Sequence, residues 1–168
     1  MSRPKVGGIG AFIVVAFILC AVATFTDNWI TWNNGFLKGN IGIVPYRGGY
    51  GGWFSAASWM MFISFALFFP LIALYLHAGY NVHHHGCGHS IRHNFNGISL
   101  ICAIIVVLEA VAFILMAVNA SDFSINLGSK YLSINASIGS SAYLALTSAI
   151  IATIAMALSG HVSRHHCH

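Results

Sequence analysis

Charge is what this sequence has least of. Lys, Arg, Asp and Glu make up 6% of its 168 residues, and the acids number three: Asp27, Glu109 and Asp122. Soluble domains carry charge on about a quarter of their residues. A fold of this size has no room to hide the 58% that is hydrophobic. A water-soluble domain is therefore excluded, and the chain is read as an integral membrane protein whose first partner is the lipid bilayer. Seven Lys and Arg residues are too few for a nucleic-acid surface and are read as setting topology. Cysteine is also scarce. Cys20 and Cys102 fall inside apolar runs, and Cys87 and Cys167 stand beside histidines. None falls in a segment expected outside, so no structural disulfide is expected. The chain offers no nucleophile with a partnered base, no phosphate loop and no paired carboxylates. It is expected to be no enzyme and to carry no cofactor.

Long apolar runs are what the chain has instead. Four of them, at 7–26, 53–76, 96–118 and 138–159, reach the roughly 20 residues a spanning helix needs. Pro70 lies inside the second and is expected to kink it, as spanning helices tolerate. The first and fourth runs are dense in Ala and Gly. Small residues let helix backbones approach closely in lipid, so these two helices should make the tightest contacts of the bundle. No secretory signal is evident, and residues 7–26 are read as a retained first helix.

Between the runs lie segments of strand character. Trp29-Ile30-Thr31-Trp32 favours extended backbone, Asn33-Asn34-Gly35 fits a tight turn, and Phe36 to Val44 returns. In the second outer segment, Phe123 to Leu127 alternates, Gly128-Ser129-Lys130 turns and Tyr131 to Ile134 returns. A lone hairpin is marginal in water, so the two segments are expected to pool strands. The expected fold is all-α in its membrane part: a single domain over residues 1–168, a four-helix bundle with a small extracellular antiparallel β-sheet.

Arg3, Lys5, Arg92 and Arg164, with all ten histidines, fall at one end of the bundle; Lys38, Arg47 and Lys130 fall at the other. The richer end is expected to be cytosolic, with both termini there. Two glycosylation sequons, at Asn119 and Asn135, lie toward the opposite end.

This arrangement resembles the claudin and peripheral-myelin-protein superfamily. Trp29 stands where that family places a tryptophan after its first helix. Gly139-Ser140-Ser141-Ala142-Tyr143-Leu144-Ala145 is similar to the family's Gly-Trp-Ser-Phe-Tyr-Leu-Ala at the start of the fourth helix, agreeing at Gly139, Ser141, Tyr143, Leu144 and Ala145. The chain departs from the family's Gly-Leu-Trp followed by two cysteines: its nearest segment is Gly42-Ile43-Val44-Pro45-Tyr46. The resemblance implies a cell-membrane protein acting through contacts, as a junction component or an auxiliary subunit. Its partners would be copies of itself or a larger channel or receptor.

The expected roles divide accordingly. Trp32, Phe36, Ile43 and Tyr46 are the candidates for partner binding, since aromatic and large apolar anchors dominate interfaces. Trp29, Gly139 and Ser141 are expected to be structural. So is Glu109, near the middle of the third run, where a charge costs about 2.5 to 3.5 kcal/mol on insertion scales. Its expected partners are Thr147 or Ser148, and a proton- or ion-coupled site is the functional alternative. The competing function is metal transport or handling. His85, His89 and His93 would share one face of a continuous helix at i, i+4 spacing, and His166, Cys167 and His168 offer a second group. A solvated juxtamembrane segment attracted to anionic lipid is the plain alternative.

The charge distribution generates one prediction directly. On intact cells, a cysteine introduced as Ser129→Cys should react with an impermeant thiol reagent, whereas Cys87 should not. The reverse labelling pattern would invert the orientation.

Overall fold

A computed structural model describes residues 3–33, 38–45, 51–85, 89–120, 124–127, 130–133 and 136–165; at 3–6, 83–85, 89–92, 124–127, 130–133 and 164–165 it describes the backbone alone. The elements in chain order are α1 (Arg3–Phe25), β1 (Ile30–Asn33), β2 (Lys38–Ile41), α2 (Gly52–His85), α3 (His89–Asn119), β3 (Ser124–Leu127), β4 (Lys130–Ser133), β5 (Ala136–Ile138) and α4 (Ser140–His165). Each helix holds a stretch long and apolar enough to cross a bilayer: Gly7–Phe25, Gly52–Val82, His93–Asn119 and Ser140–Ser163. The chain is a multi-pass membrane protein with the expected architecture.

Two kinds of packing hold the bundle. Toward α1 and α3, α4 turns a face of small residues: Ala142, Ala145, Ser148, Ala149, Ala152, Ala155 and Ser159 are all buried. The near 3–4 spacing of those residues keeps one stripe facing its neighbours along the whole span. Close approach is recorded directly, since Ser148 Oγ donates to the Ala16 backbone carbonyl of α1 at 2.9 Å and Ser159 Oγ to the Phe95 carbonyl of α3 at 2.9 Å. By contrast, α1 meets α2 through large rings. Phe17 stacks on Phe65 at 5.6 Å and meets Phe69 edge-on at 5.8 Å, and Phe25 meets Phe65 edge-on at 5.3 Å. Val14, Ile18, Trp59, Ile63, Leu100, Val107 and Ile150 are exposed on the bundle's outside, as lipid contact requires.

Helices α2 and α3 are longer than their apolar runs. The sequence reading ends the second helix at residue 76 and begins the third at 96, yet α2 continues to His85 and α3 begins at His89. At 1.5 Å per residue they reach roughly 51 and 46 Å, against a hydrocarbon layer of about 30 Å. Hydropathy marks where lipid ends, not where a helix ends. Beyond the apolar runs each helix still has the other to pack on, with Ala78 and Phe95 fully buried. The helix α2 also runs through Pro70, which is exposed.

The sheet differs from expectation in one strand. The three-stranded sheet has the order β2-β1-β5, while β3 and β4 pair only with each other. Thus 136–138, where the sequence places the end of the second sequon and, at Ile138, the first residue of the last helix, supplies the third strand; the Ser124–Ser133 hairpin does not. Helix packing explains the choice. Residues just before α4 emerge beside residues just after α1, so Ile30, Thr31 and Trp32 lie opposite Ile138, Ser137 and Ala136. The excursion from 124 to 133 closes on itself. In the first hairpin Asn33 pairs with Lys38, so the connection is 34–37 rather than a two-residue turn; it lies outside the described residues.

Gly139 joins β5 to α4 where no other residue fits: a Cβ there would fall on the Asn28 carbonyl oxygen. Gly51, before α2, holds φ at 104°, a region other residues avoid. Gly139→Ala is therefore expected to lower the melting temperature in detergent and reduce surface delivery. Gly52→Ala, which meets nothing within 4 Å, should leave both unchanged.

Candidate functional site

The sheet is fixed to the bundle through Trp29. Its side chain is fully buried, and Nε1 donates to the Ala23 carbonyl in the last turn of α1 at 2.6 Å. Its backbone N–H donates to the Ile41 carbonyl at 2.9 Å, and its own carbonyl accepts from Gly139 N–H at 2.8 Å. One residue thus links α1, β2 and the start of α4. Around it, Ser141 N–H donates to the Asn28 carbonyl at 3.1 Å, Asn28 Nδ2 to Ser140 Oγ at 2.6 Å, and Thr26 and Ser141 share a hydroxyl contact of 2.6 Å. Three of the four residues expected to be structural, Trp29, Gly139 and Ser141, meet at this junction.

The two faces of the sheet are chemically distinct. Ile30, Ile41 and Ile43 belong to the buried core, with Trp32, Ala136 and Ile138 packed against it. Thr31, Asn33, Lys38, Asn40 and Ser137 occupy the alternate positions, and all but the half-buried Thr31 are exposed. Across strands, Thr31 Oγ1 and Ser137 Oγ lie 3.0 Å apart. The outward face is therefore polar.

This separation corrects part of the expected contact set. Ile43 is 0% exposed and is closed to a partner, because it plugs the space beneath the sheet. Trp32 is half-buried and lies flat over its cross-strand partner Gly39, where a Cβ would collide with the indole. It covers a glycine more than it presents a surface. Phe36 and Tyr46 lie outside the described residues. Sequence reasoning chose by side-chain size. Period-two alternation from Ile30 was the signal that places Trp32 inward and the polar residues outward.

Of the metal candidates, His85 is the last residue of α2 and His89 the first of α3. The single helix face proposed for His85, His89 and His93 is thus divided between two helices, with His93 exposed on the second. Residues His166, Cys167 and His168 lie outside the described residues. Among the described side chains, no three of His, Cys, Asp or Glu group closely enough to hold a metal ion. Cys20 and Cys102 are free and buried. Asn119, the first sequon residue, is half-buried, with Nδ2 donating to the Leu115 carbonyl at 2.8 Å.

Glu109 occupies the centre of the bundle at 0% exposure. Ser64 Oγ of α2 donates to its Oε1 at 2.9 Å, and Ser148 Oγ of α4, at 3.3 Å, shares its proton between Oε1 and the Ala16 carbonyl of α1. Cys20 Sγ of α1 lies 4.0 Å from Ser64 Oγ. All four helices therefore meet through one polar node. Thr147, the other expected partner, is exposed and donates to the Tyr143 carbonyl at 2.8 Å. Glu109 Oε2 is buried without a hydrogen-bond partner among the described residues, and no Lys or Arg stands within the four spans. A charge here would have no counter-ion, so shape and acceptor capacity are the properties the node uses. Glu109→Gln, which keeps both, should melt near the wild type in detergent. Glu109→Ala removes the acceptor and leaves a gap, and should lose roughly 2–4 kcal/mol. Equal loss in the two variants would show that the carboxylate itself is required.

The family model described as tight junction protein, claudin-like, matches residues 1–168. No individually curated protein matches the chain. With the match running the whole length of the sequence, the chain belongs to the claudin-like tight junction family.

Proposed function

We propose that this protein works by contact: it associates within or between cell membranes through its outer segments, as a junction component or an auxiliary subunit. Its partners are copies of itself or a larger channel or receptor, and it performs no catalysis. The observation that carries this reading is the junction at Trp29. Backbone hydrogen bonds from Trp29 and Asn28 to Ile41, Gly139 and Ser141 attach the sheet to two helices at once. A sheet so attached holds its outward face in a fixed position, and a preorganised surface loses less entropy on binding.

In this reading the protein sits in the cell membrane, the sheet faces outward and both termini are cytosolic. Arg3, Lys5, Arg92 and Arg164 at the sheet-distal end support that orientation. Binding energy comes from Phe36, between β1 and β2 in sequence, and Tyr46, after β2 in sequence. Thr31, Asn33, Lys38, Asn40 and Ser137 supply polar contacts around them. Trp32 and Ile43 support the surface from beneath.

The test is a comparison of variants at equal surface level. Phe36→Ala with Tyr46→Ala should leave surface delivery unchanged while weakening copurification with the partner, or clustering at cell contacts, by roughly tenfold or more. Ile43→Ala should instead reduce surface delivery, as a core residue does. If association survives the paired Phe36 and Tyr46 change together with Asn40→Ala and Lys38→Ala, contact through the outer surface is wrong.

A further inference from the structure

Basic residues from three helices stand at one level at the end of the bundle away from the sheet. The apolar spans of α3 and α4 end there at His93 and Ser163, so Arg92 and Arg164 are each the first residue outside the apolar layer. The two helices are in contact at this depth. Ser163 Oγ donates to Asn96 Oδ1 at 2.6 Å, and Ser159 Oγ donates to the Phe95 carbonyl at 2.9 Å. A Cβ on Gly160 would lie 3.8 Å from Ser99 Oγ. Arg92 is one turn beyond Asn96 on the same face of α3, and Arg164 follows Ser163 directly. Helix α1 brings two more. Counted outward from the Ala16–Ser148 contact, the antiparallel helices place Arg3 and Lys5 at the level of His161 and Ser159.

The sequence places no acidic side chain here to neutralise them. Asp27 and Asp122 follow the opposite ends of α1 and α3, and Glu109 is buried in mid-span. Neither α1 nor α3, which both begin at this end, has an acid in its first turn. Topology requires only a surplus of positive charge in the connecting segments. Four basic residues brought to one level by packed helices, directly outside the apolar layer, make a phosphate-binding surface as well. Guanidinium pairs with phosphate through parallel N–H donors, and a headgroup carrying several phosphates can engage more than one helix at once. We propose that this end of α1, α3 and α4, through Arg3, Lys5, Arg92 and Arg164, binds the headgroup of a polyphosphorylated anionic lipid, a phosphoinositide. That this end meets the cytosolic leaflet rests on the orientation proposed above; the outer contact surface plays no part in it.

Full-length protein in mild detergent, where added lipid reaches both ends whatever the orientation in cells, would be titrated with short-chain phosphatidylinositol bisphosphate. Bound lipid would be counted by native mass spectrometry. The expected result is one lipid per chain, held roughly tenfold or more tightly than short-chain phosphatidylserine. Arg92→Gln with Arg164→Gln should weaken binding by roughly tenfold or more without lowering the melting temperature of the lipid-free protein. Arg3→Gln with Lys5→Gln, in the first turn of α1, should weaken it in the same direction. Lys38→Gln with Lys130→Gln, at the sheet end, should leave it intact. The proposal is overturned if phosphatidylserine binds as tightly, if neither variant of the sheet-distal end weakens binding, or if the sheet-end variant weakens it as much. It is equally overturned if soluble inositol trisphosphate binds as tightly as the lipid, since the surface would then serve a free polyphosphate.

Discussion

The close approach of α1 and α4 is the constraint from which the outer structure follows. Lipid gives helices no hydrophobic reason to associate, so contact must come from packing and hydrogen bonds. Alanines and serines along α4 supply the first, and Ser148 reaching the Ala16 carbonyl supplies the second. Once the helices run side by side, the residue after one and the residue before the other leave the membrane at the same place. Trp29 and Gly139 then pair through the backbone at 2.8 Å. The third strand exists because α4 begins beside the end of α1. A larger residue at 139 would hold the two chains apart, and the sheet would revert to a two-stranded hairpin of marginal stability.

Much of this was legible in the sequence. The four spans follow from length and hydropathy alone, because the bilayer admits few alternatives. The helix extensions were not legible, since the run from His77 to Asn96 is polar and carries glycines at 79, 86 and 88. Packing of α2 and α3, seen at the buried Ala78 and Phe95, favours helix at 77–85 and 89–96. Strand β5 was hidden by its length of three residues and by the helix that follows immediately. The inward placement of Trp32 and Ile43 was readable from alternation, but side-chain size argued for the opposite. At Glu109, depth in the span foretold a buried and hydrogen-bonded group. Ser148 rather than Thr147 is the partner because one residue of helix rotation separates an inward from an outward position.

The Glu109 node and the Trp29 junction act at different depths on the same problem. A bundle joined only by small apolar contacts has several registers of similar energy. A hydrogen bond at the span's centre is satisfied in few of them, and buried polar groups serve register in this way in coiled coils. Ser64 and Ser148 must reach Glu109 from opposite sides while Ser148 stays in reach of Ala16. That condition fixes α2 and α4 against α3, and α1 against α4. The junction then inherits a defined distance between helix ends, which its hydrogen bonds of 2.6 to 3.1 Å need.

The missing cysteine pair can be understood in the same terms. A disulfide within the outer segment would tie one strand to another, and its main effect is on the entropy of the unfolded chain. Here the first hairpin is tied to the bundle on both sides. Trp29 binds the helix behind it and β2 beside it, and β1 pairs with β5, which continues into α4. The core under the sheet is closed by Ile30, Ile41 and Ile43. Strands of four and three residues would not hold their register alone. Anchored to helices that the membrane already orients, they need no covalent link. The outer surface can then vary in sequence without loosening the frame, because none of its outward residues takes part in closing the core.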